Sequence, residues 1–170
     1  MRLATTADAI EVREKFEGVG VFALCEIREG DEINRAVGVT RGSPTRYTIQ
    51  VDGDLHLDLT GALEEKLNHS CDPNAAVGFT ESGGLILRAR RDIHPGDEIL
   101  INYCATEEDM AEPFRCNCGS LGCYGMIRGF VHLDPALRRG VRELLSPYLE
   151  QKYGRDLELT PDGSRPPRSV

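Results

Sequence analysis

The sequence predicts a mostly β protein of short strands, with helix confined to its C-terminal end. Three features point there. The 170 residues include 18 Gly and 9 Pro, which suits many tight turns between short strands better than a helical bundle. Apolar and polar residues alternate with a period of two in several stretches before residue 104, the pattern of half-buried strands. Apolar spacings of three and four are sustained only after Asp134, as on one face of a helix.

The elements follow in order. Ile10 to Arg13 alternates, and Val19 to Leu24 is an apolar run after the Gly18-Val19-Gly20 turn. Ile33 to Val39 predicts a strand, and Arg41 to Pro44 a loop. Tyr47 to Val51 and His56 to Leu59 alternate again. Thr60 fits the N-cap of a short helix that carries Leu63 and Leu67 and ends near Asn68. Asp72-Pro73-Asn74 reads as a turn, and Leu85 to Leu87 as a buried strand. His94-Pro95-Gly96-Asp97 fits a type II turn, and Glu98 to Tyr103 follows as a strand. Residues 104–130 are polar and rich in Gly and Cys. They hold too little apolar surface to order themselves, a deficit that a metal can make good. Asp134-Pro135 starts a helix carrying Leu137, Val141, Leu144, Leu145 and Leu149. Pro147 is expected to perturb or end its first part. The tail from Thr160 is expected to be disordered.

Composition excludes several classes. Hydrophobic residues make up 40% and charged residues 28%, as in soluble globular proteins. No apolar run approaches the ~20 residues of a membrane span. Met1 to Glu14 shows no apolar signal region. The expected location is therefore the cytoplasm, with the nucleus left open. A formal charge of −8 argues against non-specific binding of nucleic acid and favours a basic partner. In a reducing compartment, clustered Cys more often bind metal than pair as disulfides.

The strongest local signal is Cys116-Asn117-Cys118-Gly119-Ser120-Leu121-Gly122-Cys123. Three thiolates at this C-x-C-x4-C spacing can share a zinc ion, and structural zinc takes four ligands. Cys71, also in a polar turn, is the best fourth candidate; Cys25, in an apolar stretch, reads as a buried small hydrophobe. Four thiolates leave no open position, so the metal is expected to be structural. The alternative is a loop of exposed, reduced thiols. Asn68-His69-Ser70-Cys71-Asp72-Pro73-Asn74 concentrates hydrogen-bonding side chains at a helix end, which suits either a bound polar ligand or a constrained turn. Gly18-Val19-Gly20 permits close backbone approach but lacks the third glycine of a dinucleotide fingerprint. Tyr103 by itself reads as a strand-end core aromatic.

Together and in this order, these pieces resemble the SET-domain methyltransferases. The resemblance rests on Gly18-Val-Gly-Val-Phe-Ala23, Ile27-Arg-Glu-Gly-Asp-Glu-Ile33, Asn68 to Asn74, Ala89 to Ile99, Tyr103 and the Cys-rich segment running to Ile127. It implies a β-clip fold of small sheets with a threaded, pseudoknot-like segment, spanning a SET domain at 8–111 and a zinc-binding post-SET segment at 112–130. A C-terminal helical extension at 131–158 and a disordered tail at 159–170 would follow. It also implies S-adenosylmethionine as methyl donor and a lysine side chain of a protein or peptide, in a Lys/Arg-rich setting, as acceptor. By the same resemblance, Gly18, Val19, Gly20, Phe22, Asn68 and His69 would hold the donor. Tyr103 would be the active-site tyrosine, and Tyr47 a second tyrosine lining the transfer pore; both would also touch the donor. Ile127 and Phe130 would cover the adenine and wall the channel, and Cys71, Cys116, Cys118 and Cys123 would bind one zinc. Ile101 stands where lysine methyltransferases usually carry Phe or Tyr, Asn102 replaces the family's aspartate, and Val19 replaces an aromatic residue. The degree of methylation thus stays open. So do a small-molecule or peptide substrate in a biosynthetic pathway and a donor-binding zinc module without turnover.

Overall fold

The computed structural model describes residues 9–16 and 18–157. Among these, the chain forms small sheets in the order of its strands. β1 (Ile10–Lys15) and β2 (Gly18–Ala23) make an antiparallel hairpin, Ile10 opposite Ala23 and Lys15 opposite Gly18. β3 (Glu32–Ala36) pairs with β9 (Leu85–Ala89), whose other edge takes β8 (Ala75–Phe79). β4 (Val39–Arg41), β5 (Thr48–Asp52) and β6 (Leu55–Asp58) form a second three-stranded sheet with β6 central. Two residues of β7 (Asn68–His69) run parallel to β10 (Leu100–Ile101). Farther on, β11 (Phe114–Arg115) and β12 (Met126–Ile127) pair antiparallel. No described helix is long and apolar enough to cross a membrane.

The buried strand expected over Leu85 to Leu87 lies within β9, where Leu85, Leu87 and Ala89 are buried and Arg88 is exposed. These side chains join Ile33, Leu57, Ile93 and Ile99 in a first core. A second core gathers Ile127, Phe130, Val141 and Leu149, none with accessible surface, around Cys71 and Cys104. Tyr103 packs against both.

Several expectations are corrected. The predicted strand over Ile33 to Val39 is split, because Ala36 pairs with Leu85 whereas Val39 pairs with Asp58 in the other sheet. Thr60 does not cap a helix. Its N–H and hydroxyl both donate to Asp58 Oδ1 (2.9 and 2.6 Å), and a single 3-10 turn, Leu63–Lys66, starts after Ala62 with no side-chain cap. The strand predicted to reach Tyr103 is only two residues long. The Asn74 side chain takes up the Glu98 carbonyl and the Leu100 N–H (both 2.8 Å), and Asn102 caps a 3-10 turn over Tyr103–Ala105. Cys25 is exposed, not buried. Leu24 turns out with it, at 47% exposure, as the chain leaves β2.

The C-terminal helix is two helices. In α1 (Pro135–Gly140), Asp134 Oδ1 accepts from the N–H groups of Ala136 and Leu137. In α2 (Pro147–Tyr153), the Ser146 side chain is the cap. Pro147 therefore begins a helix, where its missing N–H costs nothing. The tail from Thr160 lies outside the described residues.

His56 and Asp58 alternate with Leu57 and Leu59, yet all four are buried. On the same sheet, Gln50 of β5 is clasped by the segment after Tyr103. Gln50 N–H donates to Glu107 Oε1 (3.1 Å), and Glu108 N–H donates to Gln50 Oε1 (2.7 Å). Glu108 in turn receives Lys152 Nζ (2.7 Å) and the hydroxyls of Tyr148 (2.6 Å) and Tyr153, which ties α2 to the same place.

The Cys-rich segment returns along this stretch. Met110 N–H donates to the Arg128 carbonyl, Phe130 N–H to Glu107 and Val131 N–H to Glu108 (2.9–3.1 Å). Gly129, at φ +107°, makes the crossing. A Cβ there would lie 2.7 Å from the Glu108 carbonyl oxygen and 2.8 Å from Asp109 Cα. Both obstacles are backbone, and the conformation itself disfavours any side chain. Gly129→Ala should cost at least about 2 kcal/mol and lower the thermal midpoint by about 5 °C or more, as read by calorimetry. A midpoint equal to wild type would show that the two strands are not locked together here.

Candidate active site

The turn into β2 supplies one wall. Gly18 has φ +92°. A Cβ on Gly20 would lie 2.2 Å from Glu98 Oε1 and 3.2 Å from Asn68 Nδ2, so the glycine makes room for these two side chains. Asn68 Nδ2 donates to the Val19 carbonyl and to Glu98 Oε1 (both 2.7 Å). Lys15 Nζ donates to both Glu98 oxygens (2.6 and 2.8 Å). Phe22 lies under the Arg13 guanidinium, 4.6 Å from the ring centroid. The wall thus joins carbonyl and carboxylate acceptors to one ammonium, a mixture that suits an amino-acid zwitterion.

His69 stands on the opposite side of β7. Its Nδ1 accepts from Tyr103 N–H (3.1 Å), and its Nε2 lies 3.3 Å from Cys71 Sγ. Burial pushes its pKa down to about 4, so the imidazole is neutral. Tyr103 and Phe114 pack against it, at 5.3 and 5.8 Å between ring centroids, and lie 5.9 Å from each other.

Tyr103 donates its hydroxyl proton to the Leu67 carbonyl at 2.5 Å. Burial pushes its pKa up to about 12, opposed by the Arg46 guanidinium and reinforced by the Glu107 and Glu98 carboxylates. At neutral pH it is a phenol, with its proton committed and its lone pairs free to accept. Tyr47 lies outside the aromatic cluster. It is 43% exposed at the head of β5, with Lys66 Nζ 5.9 Å from its ring centroid. The two tyrosines thus reach neighbouring residues, Lys66 and Leu67. Ile127 and Phe130 have no accessible surface in this structure and belong to the second core.

Cys71, Cys116, Cys118 and Cys123 converge. All four Sγ atoms lie within 4.8 Å of one another, with Cys71 and Cys116 at 3.8 Å. Sulfurs around one tetrahedral ion at ~2.3 Å would stand ~3.8 Å apart. The surrounding donors suit thiolates. Tyr124 N–H donates to Cys71 Sγ (3.3 Å), Cys118 N–H to Cys116 Sγ (3.4 Å), and Ser120 Oγ lies 3.2 Å from Cys118 Sγ. Burial pushes the Cys71 thiol up, so a bound cation is what would hold it ionised. Cys104 stays apart, fully buried in the second core.

Within the Asn68–Asn74 segment, some side chains bond locally and others reach other parts of the chain. Ser70 Oγ pairs with Asp72 main-chain groups (3.1 Å), and Asp72 takes Arg91 (3.0 Å). Asn102, in the aspartate position, accepts from Cys104 N–H (3.0 Å) and donates to Tyr124 Oη (3.1 Å). Two residues of this neighbourhood escaped sequence reasoning. Phe114 carried a weak signal, an aromatic two places before the first cysteine of the knuckle. Glu107 carried none, since a carboxylate in a polar stretch reads as solvated.

The chain belongs to the SET-domain family, whose model matches residues 18–104. Among curated relatives, an H3 lysine-4-specific histone-lysine N-methyltransferase of Cryptococcus neoformans is 29% identical over 68% of this chain and 9% of its own length. Histone-lysine N-methyltransferase set1 of Dictyostelium discoideum is 37% identical over 61% of this chain and 8% of its own. Methyltransferase flvH of Aspergillus flavus is 29% identical over 71% of this chain and 66% of its own. The match thus spans under a tenth of the two histone methyltransferases and about two thirds of flvH. The fold is shared with the methyltransferase domain of human SETMAR (TM-score 0.58, 21% identity, 71% of this chain and 58% of that one). It is shared as well with KRYPTONITE in complex with DNA and SAH (TM-score 0.57, 24% identity, 69% and 28%).

Burial pushes the Glu107 carboxyl up to about 7, against the lowering hydrogen bonds from Gln50 and Thr106. Between the unfolded value, 4.5, and about 7, the folded chain keeps a proton that the unfolded chain has lost. Stability therefore falls as pH rises through that window. Glu107→Gln keeps an acceptor for Gln50 N–H and removes the buried charge. It should stabilise the chain at pH 8 by at most on the order of 3 kcal/mol, with the gain vanishing below pH 4.5. Thermal midpoints of both proteins between pH 4 and 8 check this, and parallel pH curves would refute it.

Proposed function

We propose that this chain is an S-adenosylmethionine-dependent methyltransferase whose acceptor is a lysine side chain of a protein or peptide. The observation that carries the reading is Tyr103. A neutral, half-buried phenol packs against both cores, and the Tyr103 main-chain N–H donates to His69, the neighbour of the Asn68 that bonds the Val19 carbonyl. Family membership and the histone-lysine methyltransferase relatives support it.

Gly18, Val19, Gly20, Phe22 and Asn68 would hold the amino-acid end of the donor. Asn68 spends both amide protons on Val19 and Glu98 and keeps its carbonyl oxygen as an acceptor for an ammonium. Both ring nitrogens of His69 are engaged inside the protein, so His69 would meet the donor through its main chain. S-adenosylmethionine supplies an electrophilic methyl on a sulfonium. The acceptor amine must reach it neutral, and burial beside Tyr103 disfavours the ammonium. A phenol near a pKa of 12 is no base at pH 7. Its part is to accept a hydrogen bond from the amine and aim its lone pair, with Tyr47 on the outer side. Alignment of the two reactants is the main source of acceleration. The net charge of −8 draws Lys/Arg-rich acceptors toward the protein. One structural zinc, held by Cys71, Cys116, Cys118 and Cys123, would order the segment that carries Phe114 and Ile127.

The test combines labelled donor with lysine peptides and small amines, scored by mass. Tyr103→Phe should lower kcat by about 10²-fold or more while calorimetry shows donor binding intact. Wild-type turnover in that variant would remove Tyr103 from the mechanism. Metal analysis should find one zinc per chain, and Cys118→Ser should lose it together with activity. Metal-free, fully active protein would refute the four-cysteine centre.

A further inference from the structure

We infer that the His69 imidazole is a strut between the thiol cluster and Tyr103. One nitrogen fixes the Tyr103 backbone and the other donates to the Cys71 sulfur, so that the state of the cluster sets the place of the phenol. The inference rests on the proposed function, in which the cluster holds a metal and Tyr103 aims the acceptor.

The protonation of the ring follows from its partners. Tyr103 N–H can only donate, and it lies 3.1 Å from Nδ1, so Nδ1 is the bare nitrogen. The proton of the neutral ring is then on Nε2, aimed at Cys71 Sγ 3.3 Å away. The same sulfur receives Tyr124 N–H at 3.3 Å. Two N–H donors on one sulfur are more than a thiol needs. They suit a thiolate in a four-sulfur shell, where a divalent ion leaves a net charge of about −2. Cys71 is 9% exposed, so little water is there to do the same work. The ring is also clamped. Tyr103 and Phe114 pack on it at 5.3 and 5.8 Å, and Phe114 comes from the Cys-rich segment itself. His69 thus acts on the reaction through Tyr103 and on the metal through Cys71, as a positioning residue for both.

Two amide substitutions divide the strut. In His69→Asn, the side-chain oxygen stands near the place of Nδ1 and can accept from Tyr103 N–H, but nothing reaches Cys71. In His69→Gln, the side-chain nitrogen reaches the place of Nε2 and can donate to Cys71, but Tyr103 N–H loses its acceptor. Cobalt-loaded chains are compared for their sulfur-to-cobalt absorption band and for metal release to a chelator, and zinc-loaded chains for kcat. His69→Asn should shift the band and release metal about tenfold faster. His69→Gln should keep the wild-type band and release rate while kcat falls about 10²-fold, further than in His69→Asn. Equal losses of both readouts in the two variants, or no loss in either, overturn the strut. A measurement on the wild type needs no variant. With spin-active cadmium bound, the Nε2 proton of His69 should show scalar coupling to the metal through the sulfur, and its absence refutes the N–H···S bond. Wild-type protein that binds no metal or transfers no methyl refutes the functional reading itself, whereas a failure confined to these comparisons refutes only the strut.

Discussion

The convergence of Cys71 on Cys116, Cys118 and Cys123 is the constraint on which the rest of the molecule turns. The nearest of these partners is 45 residues away in sequence. The segment between Phe114 and Ile127 has little of its own to hold it. Its strands are two residues long, and Leu121 at its tip is fully exposed. Closing so long a loop costs entropy that a few side chains cannot repay. A metal at four thiolates works on the scale of about 10 kcal/mol or more, enough to decide whether the segment orders. The same segment brings Phe114 against His69 and Tyr103 and Ile127 into the second core with Phe130.

Tyr103 touches both cores and has its hydroxyl proton on a main-chain carbonyl. Around it, the protein accepts a cost in buried polar groups. Gln50, His56, Asp58 and Glu107 all lie below 10% exposure, and His56 Nδ1 has no hydrogen-bond partner among the described residues. Groups of this kind persist only when something covers them. For Gln50 the cover includes Glu107 and Glu108, with Glu108 tied in turn to α2, whereas Asp58 is held by Arg41 and Thr60.

How much of this was legible depends on the signal each residue carries. β9 could be read because Leu85, Ile86 and Leu87 are bulky and its ends are marked by Gly84 and Arg90. The four-cysteine set could be read because thiolate spacing is a chemical signature in itself. β8 could not. Ala75-Ala76-Val77-Gly78-Phe79 has little alternation, and its strand character comes from pairing with β9. Pro147 was legible as a break in the helical spacing, but not as the first residue of a second helix capped by Ser146. The buried His56 and Asp58 look like a solvent face, because the period-two pattern does not show that both sides of β6 are buried. Tyr103 is an ordinary core aromatic by local pattern. Its special place comes from what the fold brings to its backbone and its hydroxyl.

The narrowest part of the fold joins its halves. β7 is two residues long, and neighbouring side chains on a strand point to opposite faces. Asn68 therefore turns to the β1–β2 hairpin, bonding Val19 and Glu98, and His69 turns to Tyr103 and Cys71. A one-residue slip against β10 would send each side chain to the wrong half. Asn74 guards the register from farther along, holding the Glu98 carbonyl and the Leu100 N–H. The polar side chains of this short stretch are thus partners of three separate regions. Between them they decide how the β1–β2 hairpin, Tyr103 and the four sulfurs stand relative to one another.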